Sequence, residues 1–172
     1  MAGADPFDTL GFEPRFDLAS AEIERAYLAR IASAHPDRDA DSAGPAAALN
    51  IARATLLNAE RRANALLARL GGPGPADDKS LPDGFLMEMM AVRGEIEGAI
   101  AEGGDDVRRA WEAWAEGRRA GYVDRITPLF ARAAGGDRSV LTEIRTGLNA
   151  WRYIERLIEQ LDPDYDPARA DF

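Results

Sequence analysis

The sequence predicts an all-α protein in which a helical hairpin is followed by a three-helix bundle. Alanine, leucine, glutamate and arginine dominate the 172 residues, whereas valine and isoleucine are few. No stretch alternates apolar and polar side chains with the period of two that a half-buried strand requires. Apolar residues recur instead at spacings of three and four, which is typical of helices that bury one face.

The first two predicted helices span residues 5–10 and about 19–34. Gly11 closes the shorter helix, as glycine commonly does at a helix C terminus. Asp17 or Ser20 can cap the N terminus of the second helix, because both side chains can accept a hydrogen bond from a free backbone N–H. The apolar face of this helix repeats every four residues and consists of Ile23, Tyr27 and Ile31.

A polar loop follows, and then a third helix. Pro36 ends the second helix because its ring disfavours helical geometry in the preceding residue and removes a backbone donor. Residues 37–45 read DRDADSAGP, which is typical of a loop. The third helix is predicted from Pro45 to Leu70, where Gly71 and Gly72 stop it. Its packing seam consists of Leu49, Ala52, Leu56, Ala59, Ala63, Leu66 and Leu70.

Residues 73–82 are the predicted linker, because the surrounding stretch GGPGPADDKSLPDG contains most of the chain's turn-forming residues. Three helices near 83–102, 105–134 and 137–161 follow, separated by two pairs of glycines. Antiparallel helices joined by such tight turns predict a small bundle. Its core aromatic side chains are predicted to be Trp111, Trp114, Phe130 and Trp151.

Charge and composition exclude several classes of function. The net charge of −9 argues against nucleic acid as a partner, because phosphate binding needs a basic face. The absence of cysteine excludes disulfides, thiolate catalysis and a cysteine-ligated metal in this chain. No apolar run is long enough to span a membrane, and the N terminus lacks the pattern of a signal peptide. The chain is therefore expected to be soluble and cytoplasmic.

His35 is the only histidine, and it directly precedes Pro36 and Asp37 in the predicted loop. A general base needs an orienting carboxylate and a shielded nucleophile or water, whereas Pro36 holds Asp37 apart on an exposed loop. A metal site needs three or four donors, and one histidine with scattered aspartates supplies too few. Three interpretations stay open on these grounds: a partner-docking loop, a hydrolase using His35 and Asp37, and a helical adaptor with an accidental tripeptide.

The motifs together resemble those of the HscB-type J-domain co-chaperones. The stretches DPFDTLGF at 5–12 and LNIARATLLNAERRANALL at 49–67, with HPD at 35–37, resemble a J-domain. The stretch LPDGFLMEMMAVRGEIE at 81–97 and the final Asp171-Phe172 are similar to the corresponding parts of HscB, a J-protein of iron–sulfur cluster assembly. The resemblance covers nearly the whole chain.

The resemblance implies a J-domain at 4–72, the linker at 73–82, and at 83–172 a helical domain that binds a scaffold or client, as the C-terminal domain of HscB does. It implies a co-chaperone that is not an enzyme, with no cofactor and no metal. The partners would be a DnaK/HscA-type ATPase and the iron–sulfur scaffold protein IscU. The implied chaperone-binding residues are His35, Pro36, Asp37, Arg25, Arg30 and Arg38. The implied scaffold-binding residues are Leu86, Met87, Met90 and Tyr153.

Helical periodicity indicates the second surface independently of the resemblance. On the helix at 83–102, Phe85, Met89, Val92, Ile96 and Ile100 form one stripe that can face the core. Leu86, Met87 and Met90 lie outside that stripe, and Tyr153 points away from the core stripe of the last helix. Such surplus apolar side chains suit a partner interface, although the linker or the J-domain could also cover them. A J-protein with a different client is therefore a further alternative.

The sequence also departs from the family pattern at two places. The second helix and the loop after it offer only three arginines where J-domains usually carry a strongly basic face, so weaker electrostatic steering toward the chaperone is expected. Ala91 and Gly94 stand where the family's scaffold face carries acidic residues. The polar half of the scaffold contact is expected to differ accordingly.

Overall fold

The structure, a computed structural model, describes residues 4–33, 43–102 and 105–161. Within these ranges it consists of helices and connecting segments without a β-strand, which confirms the all-α prediction. None of the described helices combines the length and the hydropathy that crossing a bilayer requires. The helices are α1 (Pro6–Leu10), α2 (Ser20–Ser33), α3 (Ala43–Leu57), α4 (Ala59–Arg69), α5 (Phe85–Glu102), α6 (Asp105–Ala134) and α7 (Leu141–Leu161), with a 3₁₀ turn at Arg138–Val140 before α7.

The short helix α1 is fixed at both ends by local chemistry. The Asp5 carboxylate accepts a hydrogen bond from the Phe7 backbone N–H at 2.8 Å and so caps the N terminus. Gly11 adopts the left-handed conformation, with φ of 71°, and ends the helix as predicted. The guanidinium of Arg30 on α2 lies directly over Gly11, where a side chain would collide with it. The exposed end of Arg30 is flexible and can move aside, so glycine is required here for its backbone conformation.

Helix α2 begins differently from the prediction. Ala19 precedes the helix, and its backbone N–H donates to the Glu22 carboxylate at 3.0 Å. Neither Ser20, which is already the first helical residue, nor Asp17 accepts a capping hydrogen bond. The prediction of a Ser20 or Asp17 cap was wrong because Glu22, three residues inside, supplies the contact as in a capping box.

The predicted third helix is two helices. The chain leaves helical geometry at Asn58, whose ψ is 116°, and the Asn58 side-chain oxygen then accepts a hydrogen bond from the Arg61 backbone N–H at 2.9 Å. Asn58 is thus the N-cap of α4, and the prediction of one continuous helix was wrong. The predicted seam nevertheless faces the core in both helices, with Leu56 and Ala63 fully buried on either side of the break.

A buried arginine supports this break. Arg62 is 9% exposed, and its Nε donates to the Phe16 carbonyl oxygen at 2.9 Å while its Nη1 donates to the Leu56 carbonyl oxygen. The latter carbonyl belongs to the last turn of α3 and has no partner within its own helix once the helix stops. Burial lowers the pKa of Arg62, but its two carbonyl partners satisfy the guanidinium donors.

In the C-terminal part, α6 and α7 form the most extensive helix pair, and α5 packs more lightly against α6. The turn between α6 and α7 passes through Gly136, whose φ is 98°, as the glycine pair predicted. The other predicted glycine turn, at 103–104, lies outside the described residues. Phe130 and Trp151 are buried as predicted, whereas Trp111 and Trp114 are half-buried and pack edge to face with each other.

The parts before and after the predicted linker share one hydrophobic core. The ring of Phe16 stacks on that of Phe130 in α6, with 5.3 Å between centroids. At the end of α4, Arg138 donates to the Leu70 carbonyl oxygen at 2.9 Å. The side-chain amide of Asn149 on α7 donates to the carbonyl oxygens of Asp78 and Ser80, at 3.0 and 2.9 Å. The segment between α4 and α5 is therefore held against α7.

Candidate functional site

Helix α5 presents three large apolar side chains to solvent near its N terminus. Leu86, Met87 and Met90 are 50%, 79% and 76% exposed, while Phe85 and Ile96 on the opposite side are buried in the bundle. The helical period explains this division, because positions 85 and 96 lie close to the same angle and positions 86, 87 and 90 lie away from it. The surplus apolar positions predicted from the sequence are thus exposed.

Helix α7 contributes one exposed aromatic side chain beside α5. Trp151 and Ile154 are fully buried, so Tyr153 between them faces outward and is 42% exposed. The Tyr153 ring meets the Phe85 ring edge to face, with 5.6 Å between centroids. This contact fixes Tyr153 next to the first turn of α5, where Leu86 and Met90 emerge.

The exposed side chains of α5 and α7 enclose a shallow groove of about 270 Å³, called here the apolar groove. It is lined by Leu86, Met89, Met90, Arg93, Tyr153, Arg156 and Leu157. Three of the four predicted scaffold-binding residues therefore lie around one depression, and Met87 lies outside its lining. An aromatic ring and flexible methionine side chains around a depression can pack against apolar side chains of a partner.

The rim of the apolar groove is basic. The two charged residues that line it are Arg93 and Arg156, and no acidic residue lies among its lining. Glu88, the acidic residue closest to Met87 in sequence, forms an ion pair with Arg118 on α6 and is thereby directed toward the bundle. The charged side chains at this surface are thus arginines, and the scaffold contact itself stays a prediction.

The predicted chaperone-binding residues belong to the N-terminal part of the chain, on α2 and directly after it. Arg25 and Arg30 have exposed side chains, and the Nε of Arg25 donates to the Ala21 carbonyl oxygen at 3.1 Å. Arg30 lies over Gly11 as described above. Five residues apart on a helix, the two arginines point about 140° from each other. His35, Pro36, Asp37 and Arg38 lie outside the described residues, so their role remains a prediction.

No protein-family model matches the sequence. Two solved structures are similar to the protein over most of its length. Chaperone HscB from Vibrio cholerae matches with a TM-score of 0.71 at 22% sequence identity, covering 91% of this chain and 94% of that chain. The human co-chaperone protein HscB matches with a TM-score of 0.72 at 20% identity, covering 91% of this chain and 80% of that chain. The chain has the HscB fold.

Within the HscB fold of this chain, the groove includes residues that sequence reasoning missed. Met89 was assigned to the core stripe, yet it is only partly buried and also lines the groove. Arg156 and Leu157 were not singled out. They follow Tyr153 by three and four residues, so the helical period alone placed them on the same face of α7.

The described part of this HscB-fold chain offers no metal centre. No three or more histidine, cysteine, aspartate or glutamate side chains there are grouped closely enough to hold an ion. Near the groove, the Glu155 carboxylate accepts two hydrogen bonds from Arg119, at 2.6 and 2.7 Å. The Trp151 indole N–H also donates to Glu155, at 2.5 Å. These contacts fix the turn of α7 that carries Tyr153.

Proposed function

We propose that the protein is an HscB-type co-chaperone of the cytoplasm. It stimulates ATP hydrolysis by a DnaK/HscA-type chaperone and delivers the iron–sulfur scaffold protein IscU to it. The observation that carries this proposal is the apolar groove: in a chain with the HscB fold, Leu86, Met90 and Tyr153 surround one depression at the positions where the sequence resemblance expects the scaffold.

The chain itself performs no chemistry in this scheme. His35, Pro36 and Asp37 contact the ATPase domain, with Pro36 limiting the entropy lost on docking and Asp37 accepting charge-assisted hydrogen bonds from a basic residue of the chaperone. Arg25, Arg30 and Arg38 add electrostatic attraction. The contact favours the hydrolysis-competent state of the chaperone by binding it more tightly than the other state.

Holding the scaffold and the chaperone on one molecule raises their effective concentration toward each other. The contacts between the two parts of the chain support this arrangement. The stacking of Phe16 on Phe130 and the hydrogen bond from Arg138 to Leu70 join the described N-terminal and C-terminal parts of the chain. A scaffold seated in the apolar groove is then presented at a restricted range of positions relative to the chaperone.

An ATPase assay on a DnaK/HscA-type chaperone, with and without IscU, tests both the chaperone contact and the scaffold contact. The wild type should raise the hydrolysis rate, and IscU should raise it further. His35→Gln should abolish both effects. The triple variant L86A/M90A/Y153A should keep the stimulation seen without IscU and lose at least about tenfold in affinity for IscU, because central apolar contacts carry most of the energy of an interface.

Ile51→Ala is the matched control for the triple variant, because Ile51 is 67% exposed on α3 and lies away from the groove. It should leave both activities unchanged. Equal stimulation by the wild type and His35→Gln would contradict the co-chaperone proposal and favour a helical adaptor. Stimulation that depends on His35 but never responds to IscU would indicate a J-protein with a different client.

A further inference from the structure

A second depression adjoins the apolar groove. It lies between α4, the segment at 73–81 and α7, and has a volume of about 630 Å³. Its charged lining residues are Glu60, Lys79, Arg145, Arg152 and Arg156, and we call it the basic cleft. Four cationic side chains against one carboxylate are unusual for a protein of net charge −9, so the cleft is a local reversal of the overall charge.

Only part of this positive charge is neutralised within the described residues. Arg152 forms ion pairs with Glu60 at 3.5 Å and with Glu159 at 3.3 Å. Across the described ranges, no carboxylate lies within ion-pair distance of Lys79, Arg145 or Arg156. Three cationic groups therefore line the cleft without a direct ion pair to a carboxylate of those ranges, and Arg145 feels only the more distant charges of Asp78 and Glu60.

Arg145 is the most informative of these groups because it is 3% exposed. Its Nε donates to the Asn149 side-chain oxygen at 2.9 Å and its Nη1 to the Asn64 side-chain oxygen at 2.7 Å. Both partners are neutral amides, which orient the guanidinium without compensating its charge. Burial lowers the pKa of Arg145 despite the more distant charges of Asp78 and Glu60. A buried and oriented cation without a direct ion pair favours binding of an anion beside it.

The basic cleft and the apolar groove are neighbours on the surface of α7. Tyr153 and Arg156 line both of them, so one polypeptide can contact the groove and the cleft together. Guanidinium groups bind carboxylates through paired hydrogen bonds, which makes them selective for such groups over neutral amides. The volume of the cleft accommodates more than one side chain.

We propose that the basic cleft binds the carboxylates of an acidic segment, rich in Asp or Glu, belonging to the same client polypeptide whose apolar side chains occupy the apolar groove. The client identity rests on the proposed function. The ability of the cleft to bind carboxylates is independent of the proposed function, because that ability follows from Lys79, Arg145 and Arg156 alone. In this chain the polar half of the client contact is then provided by cations.

Titration of the full-length, isotope-labelled protein with an acetylated and amidated tetraglutamate peptide tests the cleft directly by NMR. The signals of the Asn149 side-chain amide, Lys79 and the Arg156 Nε–H should shift and saturate. A tetraglutamine peptide should leave them in place. The double variant K79Q/R156Q should weaken tetraglutamate binding about tenfold at low salt.

The control variant R61Q/R132Q removes the same number of positive charges at exposed positions that do not line the cleft, and it should bind tetraglutamate like the wild type. Shifts spread evenly over all arginines, or equal shifts with both peptides, would overturn the proposal. The titration contains neither chaperone nor IscU. Its failure therefore leaves the ATPase result standing, and failure of the ATPase assay leaves a positive titration standing.

Discussion

Glu155 shows how single side chains hold the candidate site in place. Burial by itself would raise the pKa of its carboxyl, but the hydrogen bonds from Arg119 and from the Trp151 indole outweigh burial and hold the pKa below the ordinary value. The ionised form is thus more stable in the folded protein than in the unfolded chain. Its contribution to stability is complete above the unfolded pKa of about 4.5 and is lost as the pH falls through the lower, folded value.

At the residue scale, we expect Glu155→Gln to lower the free energy of unfolding at pH 7 by about 1–3 kcal/mol, because Arg119 and Trp151 lose a charged acceptor. Chemical denaturation of both proteins at pH 7 and at pH 3 measures this difference. The difference should shrink at pH 3, since protonation then deprives the wild type of the same charge. An equal difference at both pH values would show that the carboxylate charge contributes nothing.

At the scale of the helix, glycine turns were predictable and the break at Asn58 was not. Gly11 and Gly136 end their helices through contacts within a few residues, so the local sequence contains the whole cause. The break at Asn58 depends in addition on Arg62, which satisfies carbonyl oxygens of Leu56 and of the distant Phe16. The apolar residues keep their helical spacing across Asn58, so the sequence pattern does not reveal that the helix is interrupted there.

The same distinction applies to the candidate site. The exposure of Leu86 and Met90 followed from the helical phase of α5 alone, which is a local property. The groove itself, and its basic neighbour, depend on how α5, α7 and the segment at 73–81 lie side by side. The helical period places Arg156 on the face of Tyr153, but its role in the cleft, like that of Arg145, depends on this tertiary arrangement.

At the element scale, we expect Asn58→Ala to lower the free energy of unfolding by about 1 kcal/mol, because the Arg61 backbone N–H loses its capping acceptor. Asn58→Asp is the matched control and should retain most of the stability, since aspartate caps helices about as well as asparagine. Urea denaturation followed by circular dichroism measures both. Greater stability of the alanine variant would mean that a continuous helix is preferred at this point.

The whole molecule is held together by contacts between its N-terminal part (residues 4–72) and its C-terminal part (83–161). At this junction Phe16 stacks on Phe130, and Arg138 and Arg145 donate hydrogen bonds to Leu70 and Asn64. All three tryptophans, in contrast, belong to α6 and α7. Tryptophan fluorescence therefore reports unfolding of the C-terminal part only.

At the molecular scale, we expect Phe16→Leu to lower the denaturation midpoint detected by tryptophan fluorescence, although position 16 is far from every tryptophan in sequence. The stacking contact and its packing are worth about 1 kcal/mol, and a shared core transmits the loss to the whole chain. The fluorescence and circular dichroism midpoints should fall together. Ile51→Leu, at an exposed position, should leave both in place. A two-step dichroism transition with an unchanged fluorescence midpoint would show that the two parts unfold separately.

The hydrogen bonds of Asn149 to the segment before α5 determine which mutations that segment tolerates. The Asn149 amide holds main-chain oxygens, so a replacement at position 80 keeps both acceptors, whereas the Asp78 carboxylate also accepts from the Ser80 backbone N–H at 2.8 Å and shapes the turn. An insertion or deletion is different, since one added residue displaces the following carbonyls by up to about 3.3 Å, which breaks a hydrogen bond. The segment between α4 and α5 can thus change in amino-acid sequence more readily than in length.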